Sequence, residues 1–148
     1  MNVTYNPPNK RFSAGDYHPK ANPDGEGKPA YILAIPNPFC TSEDLLGRIT
    51  LLAQTLDDNG ASRIHLVTPI ELNGRAERGH REQPENKKLD GEGNFVKAGA
   101  RVYHAFGIKS CLTLDSHAYK TSNDIFNRVY YGDKKAKYFN PHNLLNPL

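Results

Sequence analysis

Tryptophan is absent from this 148-residue sequence, methionine occurs once and cysteine twice. Two cysteines, Cys40 and Cys111, are too few for a disulfide framework or a four-cysteine zinc site, so we expect reduced thiols. No apolar run approaches the roughly 18 residues that cross a bilayer, and the first twelve residues lack the apolar stretch of a signal peptide. The formal charge of +3 is too small to indicate nucleic-acid binding. We therefore expect one cytoplasmic globular domain spanning residues 1–148, without a membrane or nucleic-acid partner.

Short apolar segments alternate with amphipathic ones along the middle of the chain. The first helix is predicted to begin at Thr41 and Ser42 and to end at Gly60, because its apolar residues recur at helical spacing. A second helix is predicted to begin at Asn94, with an apolar stripe of Phe95, Gly99, Val102, Tyr103 and Phe106. The predicted strands are Ala30–Ile35, Arg63–Thr68 and Ser110–Asp115.

This alternation predicts an α/β fold, a three-layer αβα arrangement with a mainly parallel sheet covered by helices on both faces. Ligands of such sheets bind beyond the carboxyl ends of the strands. The segments expected there are Asn37–Cys40, Pro69–Arg81 and Asp115–Thr121. The tail from Tyr119 onward is aromatic and basic. Its composition predicts no definite fold, and an RNA-binding role for it is disfavoured by the small net charge.

The loop after the second predicted strand carries Arg75 and Arg78. Guanidinium forks bind phosphate oxygens in pairs, so these side chains are candidates for binding a polyphosphate. The alternative is a solvated loop in which Glu77 and Glu82 form surface ion pairs with the arginines.

Asp115 and His117 follow the third predicted strand. Strand alternation would put both side chains on the same side, where they could hold a divalent metal or act as acid and base. The alternative is an aspartate that caps the following turn. Because Mg²⁺ prefers oxygen ligands, His117 would contact such a metal through water or bind a phosphate oxygen instead.

These residues, in this order, resemble the N-terminal half of ribose-phosphate pyrophosphokinase, also called phosphoribosyl pyrophosphate synthetase. Its F-x-(D/N)-x-E segment is similar to Phe12–Asp16, its A-x-R-I-x-x-V-x-P-Y strand to Ala61–Ile70, and its L-T-x-D-L-H-A motif to Leu112–Ala118. Its Y-A-R-Q-D-R motif corresponds to Gly74–Gly79 with a one-residue offset at the start.

The resemblance implies a type I phosphoribosyltransferase-like fold and a transferase (kinase) of nucleotide biosynthesis that moves pyrophosphate from ATP to ribose 5-phosphate with Mg²⁺. By this resemblance Arg75 and Arg78 bind the ATP phosphates, and Asp115 and His117 lie at the metal. Phe12 and Asp16 contact adenine across a subunit boundary of a homo-oligomer. The catalytic residues are not identified by the resemblance.

The sequence departs from the family at Ala14, Ala76, Glu77 and Ser116, and residues 121–137 look like an insertion. Nothing in it resembles the family's ribose 5-phosphate loop, which lies in the second half of those enzymes. We therefore expect the chain alone to be inactive. A non-catalytic regulatory or assembly homologue that keeps the fold is the alternative interpretation.

Overall fold

The computed structural model describes residues 17–132, apart from Asn22, Asn37, His80 and Glu82. Two short 3-10 helices lie at Pro23–Gly25 and Lys87–Leu89. The main elements, in chain order, are β1 (Pro29–Leu33), α1 (Ser42–Asp58), β2 (Arg63–Ile70), α2 (Phe95–Ala105), β3 (Ile108–Asp115) and α3 (Tyr119–Tyr131). The predicted alternation of strands and helices is therefore confirmed. None of the helices in this described part of the chain has the length and hydrophobicity to span a membrane.

The three strands form one parallel sheet in the order β1-β2-β3, with β2 in the centre. Leu33 pairs with Val67 across one side of β2, and Ile70 pairs with Asp115 across the other. Both connections cross in the same direction through a helix, and right-handed crossovers of this kind place both helices on one face of the sheet. The contact between α1 and α2 agrees with that arrangement. The predicted α/β class and parallel sheet are confirmed.

The core lies between one face of the sheet and the helices. Alternate strand residues point into it, and they pack against apolar residues of all three helices. The largest of the buried apolar side chains are Ile32, Ile49, Leu56, Ile64, Leu66, Val96, Tyr103, Ile108 and Phe126. On the opposite face Tyr31 is 55% exposed, Leu33 64% and Leu114 53%. The sequence predicts helices on both faces of the sheet. Within the residues that the structure describes, the helices cover the face that carries the core, and the face with Tyr31, Leu33 and Leu114 has none.

Helix α1 begins and ends as its sequence predicts. Thr41 Oγ1 accepts a hydrogen bond from Asp44 N at 3.1 Å, and Asp44 Oδ2 accepts one from Thr41 N at 3.3 Å. This reciprocal capping box satisfies two donors that the first turn cannot pair internally. At the other end Gly60 adopts φ 76°, a conformation that costs glycine little.

Helix α2 differs from its prediction by the face that it buries. Phe95 was predicted to start the apolar stripe but is 55% exposed. The buried residues are Val96, Ala100 and Tyr103, so the stripe starts one residue later. The position at which the helix starts explains this difference. Asn94 is the N-cap, and the hydrogen bond from Phe95 N to Ala76 O fixes Phe95 as the first residue of the helix.

Helix α3 occupies the segment for which the sequence predicted no definite fold. Ser122 and Phe126 are buried on it, four residues apart, and Phe126 stacks on Tyr103 of α2 with ring centroids 6.4 Å apart. Tyr130 continues the same face, with its ring 5.0 Å from the ring of His104. The described part of residues 121–137, which look like an insertion in the sequence, therefore packs on α2 and extends the core.

Candidate functional site

The carboxyl ends of β2 and β3 meet at one edge of the sheet. Glu71, directly after β2, donates its backbone N–H to Asp115 O at 2.9 Å. Two buried threonines hold the strand ends: Thr68 Oγ1 donates to Ile70 O at 2.8 Å, and Thr113 Oγ1 to Asp115 O at 3.0 Å. The loop with the arginines and the turn with Asp115 therefore leave the sheet side by side, as the sequence predicts for adjacent parallel strands.

The loop that carries Arg75 and Arg78 is fixed by backbone hydrogen bonds. It turns tightly at Asn73, whose φ is 57°, and Ala76 N donates to Asn73 O at 2.8 Å. Ala76 O in turn accepts from Phe95 N at 2.9 Å. These bonds attach the loop to the first turn of α2, so Arg75 is presented from an ordered backbone beside a helix N-terminus.

Asn94 strengthens this attachment through both ends of its side-chain amide. Its Nδ2 donates to Glu77 O at 2.6 Å, and its Oδ1 accepts from Lys97 N at 2.8 Å. The second bond is an N-cap, which satisfies one of the free donors of the helix. One side chain thus connects the end of the loop to the start of α2.

The two arginines differ in their surroundings. Arg75 is exposed. Arg78 Nε lies 3.2 Å from Glu77 Oε1, and the Glu77 side chain is only 5% exposed while that of Arg78 is 61% exposed. The ion pair expected in the alternative interpretation of this loop is therefore present for Glu77 and Arg78. Glu82, the other acidic partner considered, lies outside the described residues.

Asp115 and His117 both have exposed side chains at this edge. Strand β3 ends at Asp115, and His117 lies in the turn that leads into α3. The strand alternation that predicts both side chains on the same side therefore does not extend to His117. Between them Ser116 points inward and donates from Oγ to Glu71 Oε2 at 2.5 Å. The serine that departs from the family motif therefore has a structural partner.

Glu71 is a buried carboxylate below the strand ends, and no sequence pattern predicts its burial. The residue is 8% exposed, and Oε2 accepts from Ser122 Oγ at 2.9 Å as well as from Ser116. Burial raises the pKa of Glu71 above its usual value, and these two hydrogen bonds oppose that shift. Nearby Glu77 raises it further. Among the described residues, Glu71 Oε1 and Glu77 Oε2 are buried without a hydrogen-bond donor.

The side chains at this edge that could ligate a metal suit a magnesium ion only in part. Asp115 offers an accessible carboxylate, the ligand type that Mg²⁺ prefers, and Mg²⁺ commonly keeps several waters and binds substrate phosphates. His117 supplies nitrogen, which is a poor first-shell ligand for this ion. No group of three or more His, Cys, Asp or Glu side chains suited to a metal occurs in the described part of the chain. The remaining predicted site residues, Phe12 and Asp16, lie outside the described residues.

The strand ends, the arginine loop and the exposed aspartate lie at the edge of an α/β sheet where ligands of such sheets usually bind. Among solved structures the chain is similar to the crystal structure of phosphoribosylpyrophosphate synthetase from Mycobacterium smegmatis, with a TM-score of 0.68 and 18% sequence identity. The match covers 97% of this chain and 41% of that one, so this chain spans about two fifths of the synthetase. The predicted fold class is thereby confirmed. No protein-family model matches the sequence, and no curated protein matches it.

Proposed function

We propose that this chain is an ATP- and Mg²⁺-binding domain of the ribose-phosphate pyrophosphokinase type. The observation that carries the proposal is the pairing of Ile70 with Asp115, which puts the arginine loop and the aspartate at the same edge of the sheet. In this proposal Arg75 binds the phosphates, with Arg78 beside it, and Asp115 holds the metal. A bound metal would supply charge neutralisation, which together with positioning is most of what phosphoryl transfer requires.

The proposal extends to three further residues, two of which the structure does not describe. Phe12 and Asp16 would contact adenine in a homo-oligomer, as the family resemblance implies. Ribose 5-phosphate would be a partner only if a second domain exists. His117 would bind a phosphate oxygen or reach the metal through water.

Calorimetry of Mg-ATP and Mg-ADP binding tests the nucleotide site. We expect a dissociation constant in the micromolar to millimolar range, and Arg75→Ala should weaken binding roughly ten- to hundredfold, the loss of a charged hydrogen bond. Arg63→Ala is the matched control, because Arg63 is an exposed arginine at the opposite end of β2. Equal affinities for Arg75→Ala and the parent chain would contradict the proposal.

The role of Asp115 is tested by repeating the titration with and without Mg²⁺. Asp115→Asn should weaken Mg-ATP binding and leave the affinity for metal-free ATP unchanged or higher, because a negative charge has been removed. The Asp115 side chain is exposed, so the fold should persist, and circular dichroism checks that. A loss that is the same with and without the metal would exclude Asp115 as a metal ligand.

A non-catalytic regulatory or assembly homologue is the second candidate, and one observation favours it. Arg78 forms an ion pair with the neighbouring Glu77 carboxylate, so this arginine already has a partner in the structure. If Arg78→Ala leaves nucleotide affinity unchanged while Arg75→Ala reduces it, Arg78 does not contribute to nucleotide binding. Absence of any binding heat for either nucleotide would favour the regulatory interpretation over the enzyme.

A further inference from the structure

A cavity of about 250 Å³ lies between β1 and α1. Its walls are mainly aliphatic side chains from the two elements, among them Ile32, Ile49 and Leu52. Neither the arginine loop nor the turn after β3 contributes to its lining. The volume corresponds to about eight water molecules at roughly 30 Å³ each, or to one small organic molecule with a similar number of non-hydrogen atoms.

One charged residue lines this mainly apolar cavity. Of the ten described residues that line the cavity, Arg48 is the one with a charged side chain. Its guanidinium carbon lies 5.9 Å from the centroid of the Tyr17 ring, within range of a cation–π interaction. Within the described part of the chain Arg48 forms no salt bridge. Arg48 is half-buried, and a partly buried cation attracts an anion more strongly than one in open solvent, because screening by water is weaker there.

We propose that this cavity binds a small organic monocarboxylate, with its hydrocarbon body between β1 and α1 and its carboxylate on Arg48. The aliphatic walls suit the hydrocarbon body, since burying it removes apolar surface from water. The planar fork of Arg48 matches a carboxylate in a bidentate pair. A single cation balances one negative charge, which favours a carboxylate over a doubly charged phosphate ester in a partly desolvated site.

A cysteine in the lining makes the proposal measurable. Cys40 is half-buried and lines the cavity. Cys111 is buried, and burial raises the pKa of its thiol to about 12. A neutral thiol reagent at mildly alkaline pH should therefore modify Cys40 and spare Cys111, because the thiolate is the reactive form. A ligand in the cavity should slow that modification.

The experiment measures the rate of Cys40 modification against the concentration of three probes that share a phenyl ring: benzoate, benzyl alcohol and phenyl phosphate. Benzoate should protect Cys40 at concentrations roughly tenfold or more below those needed for benzyl alcohol, the difference that one charged hydrogen-bonded pair supplies. Arg48→Gln should abolish this difference. Arg101→Gln, an exposed arginine on α2, is the matched control and should keep it.

Three results would overturn the proposal. Equal protection by benzyl alcohol and benzoate would show an apolar cavity without anion recognition, and better protection by phenyl phosphate would show a phosphate site. Absence of protection by all three probes would exclude the cavity as a site for ligands of this size. If Arg48→Gln does not fold, the comparison of the three probes on the parent chain still decides, and nucleotide binding at Arg75 is unaffected by the outcome.

Discussion

Replacing Glu71 by glutamine tests the chemistry of the buried carboxylate at the end of β2. In the parent chain Glu71 Oε1 is buried without a hydrogen-bond partner among the described residues, and Glu77 Oε2 is buried in the same way. Glutamine keeps an oxygen that can accept from Ser116 and Ser122, and it replaces the unpaired oxygen by an amide that donates. It also removes the repulsion between two carboxylates. We expect Glu71→Gln to raise the free energy of unfolding by about 1–3 kcal/mol at neutral pH, the penalty of one unsatisfied buried polar group.

The gain should depend on pH in a definite direction. Burial raises the pKa of Glu71 in the folded chain above its value in the unfolded chain. The folded state therefore holds this proton more tightly, and the stability that the group contributes is complete below the unfolded pKa and is lost as pH rises through the folded pKa. The parent chain and Glu71→Gln should accordingly be similar in stability near pH 4 or below, a value close to the ordinary pKa of a glutamate, about 4.3, and diverge as pH rises.

Urea unfolding followed by far-ultraviolet circular dichroism at several pH values is the assay, since the chain has no tryptophan. Glu92→Gln, at an exposed glutamate, is the matched control and should change stability by less than about 0.5 kcal/mol. The reasoning would be refuted if Glu71→Gln were less stable than the parent at neutral pH, or if its advantage were the same at acid pH.

Further substitutions test the packing, each by urea unfolding. Gly74→Ala should destabilise by about 1–3 kcal/mol, because the added Cβ would lie 3.1 Å from a buried carboxylate oxygen and 3.2 Å from a backbone oxygen; Gly99→Ala, in open space on α2, should instead stabilise by up to about 1 kcal/mol. Phe126→Ala should cost about 3–5 kcal/mol, and Phe95→Ala, at a side chain 55% exposed, far less; similar costs would contradict the assigned stripe of α2. Asn94→Ala should cost about 1–2 kcal/mol through the lost cap and weaken nucleotide binding as well; unchanged stability would mean that its two hydrogen bonds contribute nothing.

The sequence predicts the sheet and α1 because local signals agree there. The apolar run before Pro36, the capping residues Thr41 and Asp44 and the glycine at position 60 each favour one conformation, and the structure has all of them. The order of strands and helices then limits the topology to a parallel sheet. The position of the arginine loop beside Asp115 follows from that topology.

The burial of Glu71 could not be predicted in the same way. Residues 64, 66 and 68 are buried in alternation, so the period-two pattern predicts that Ile70 points inward and Glu71 outward. The structure has the reverse: Ile70 is 55% exposed and Glu71 is 8% exposed. The chain turns at the end of β2, and Ser116 and Ser122 supply the two donors from residues 45 and 51 positions away. No local pattern encodes partners so distant along the chain.

Helix α3 could have been predicted from the spacing of its apolar residues. Ser122, Ile125, Phe126, Val129 and Tyr130 recur at helical spacing, but the basic and aromatic composition of the tail obscured the pattern. The predicted role of Phe12 and Asp16 stays a prediction, because both residues lie outside the described part of the chain.

The bond from Phe95 N to Ala76 O has a consequence for local unfolding. Any fluctuation that releases the arginine loop must also break hydrogen bonds at the first turn of α2, so the two segments should open as one cooperative unit. Amide hydrogen exchange would then show the same opening free energy for Phe95 and Ala76, and a polyanion that binds the loop would slow exchange at both amides together.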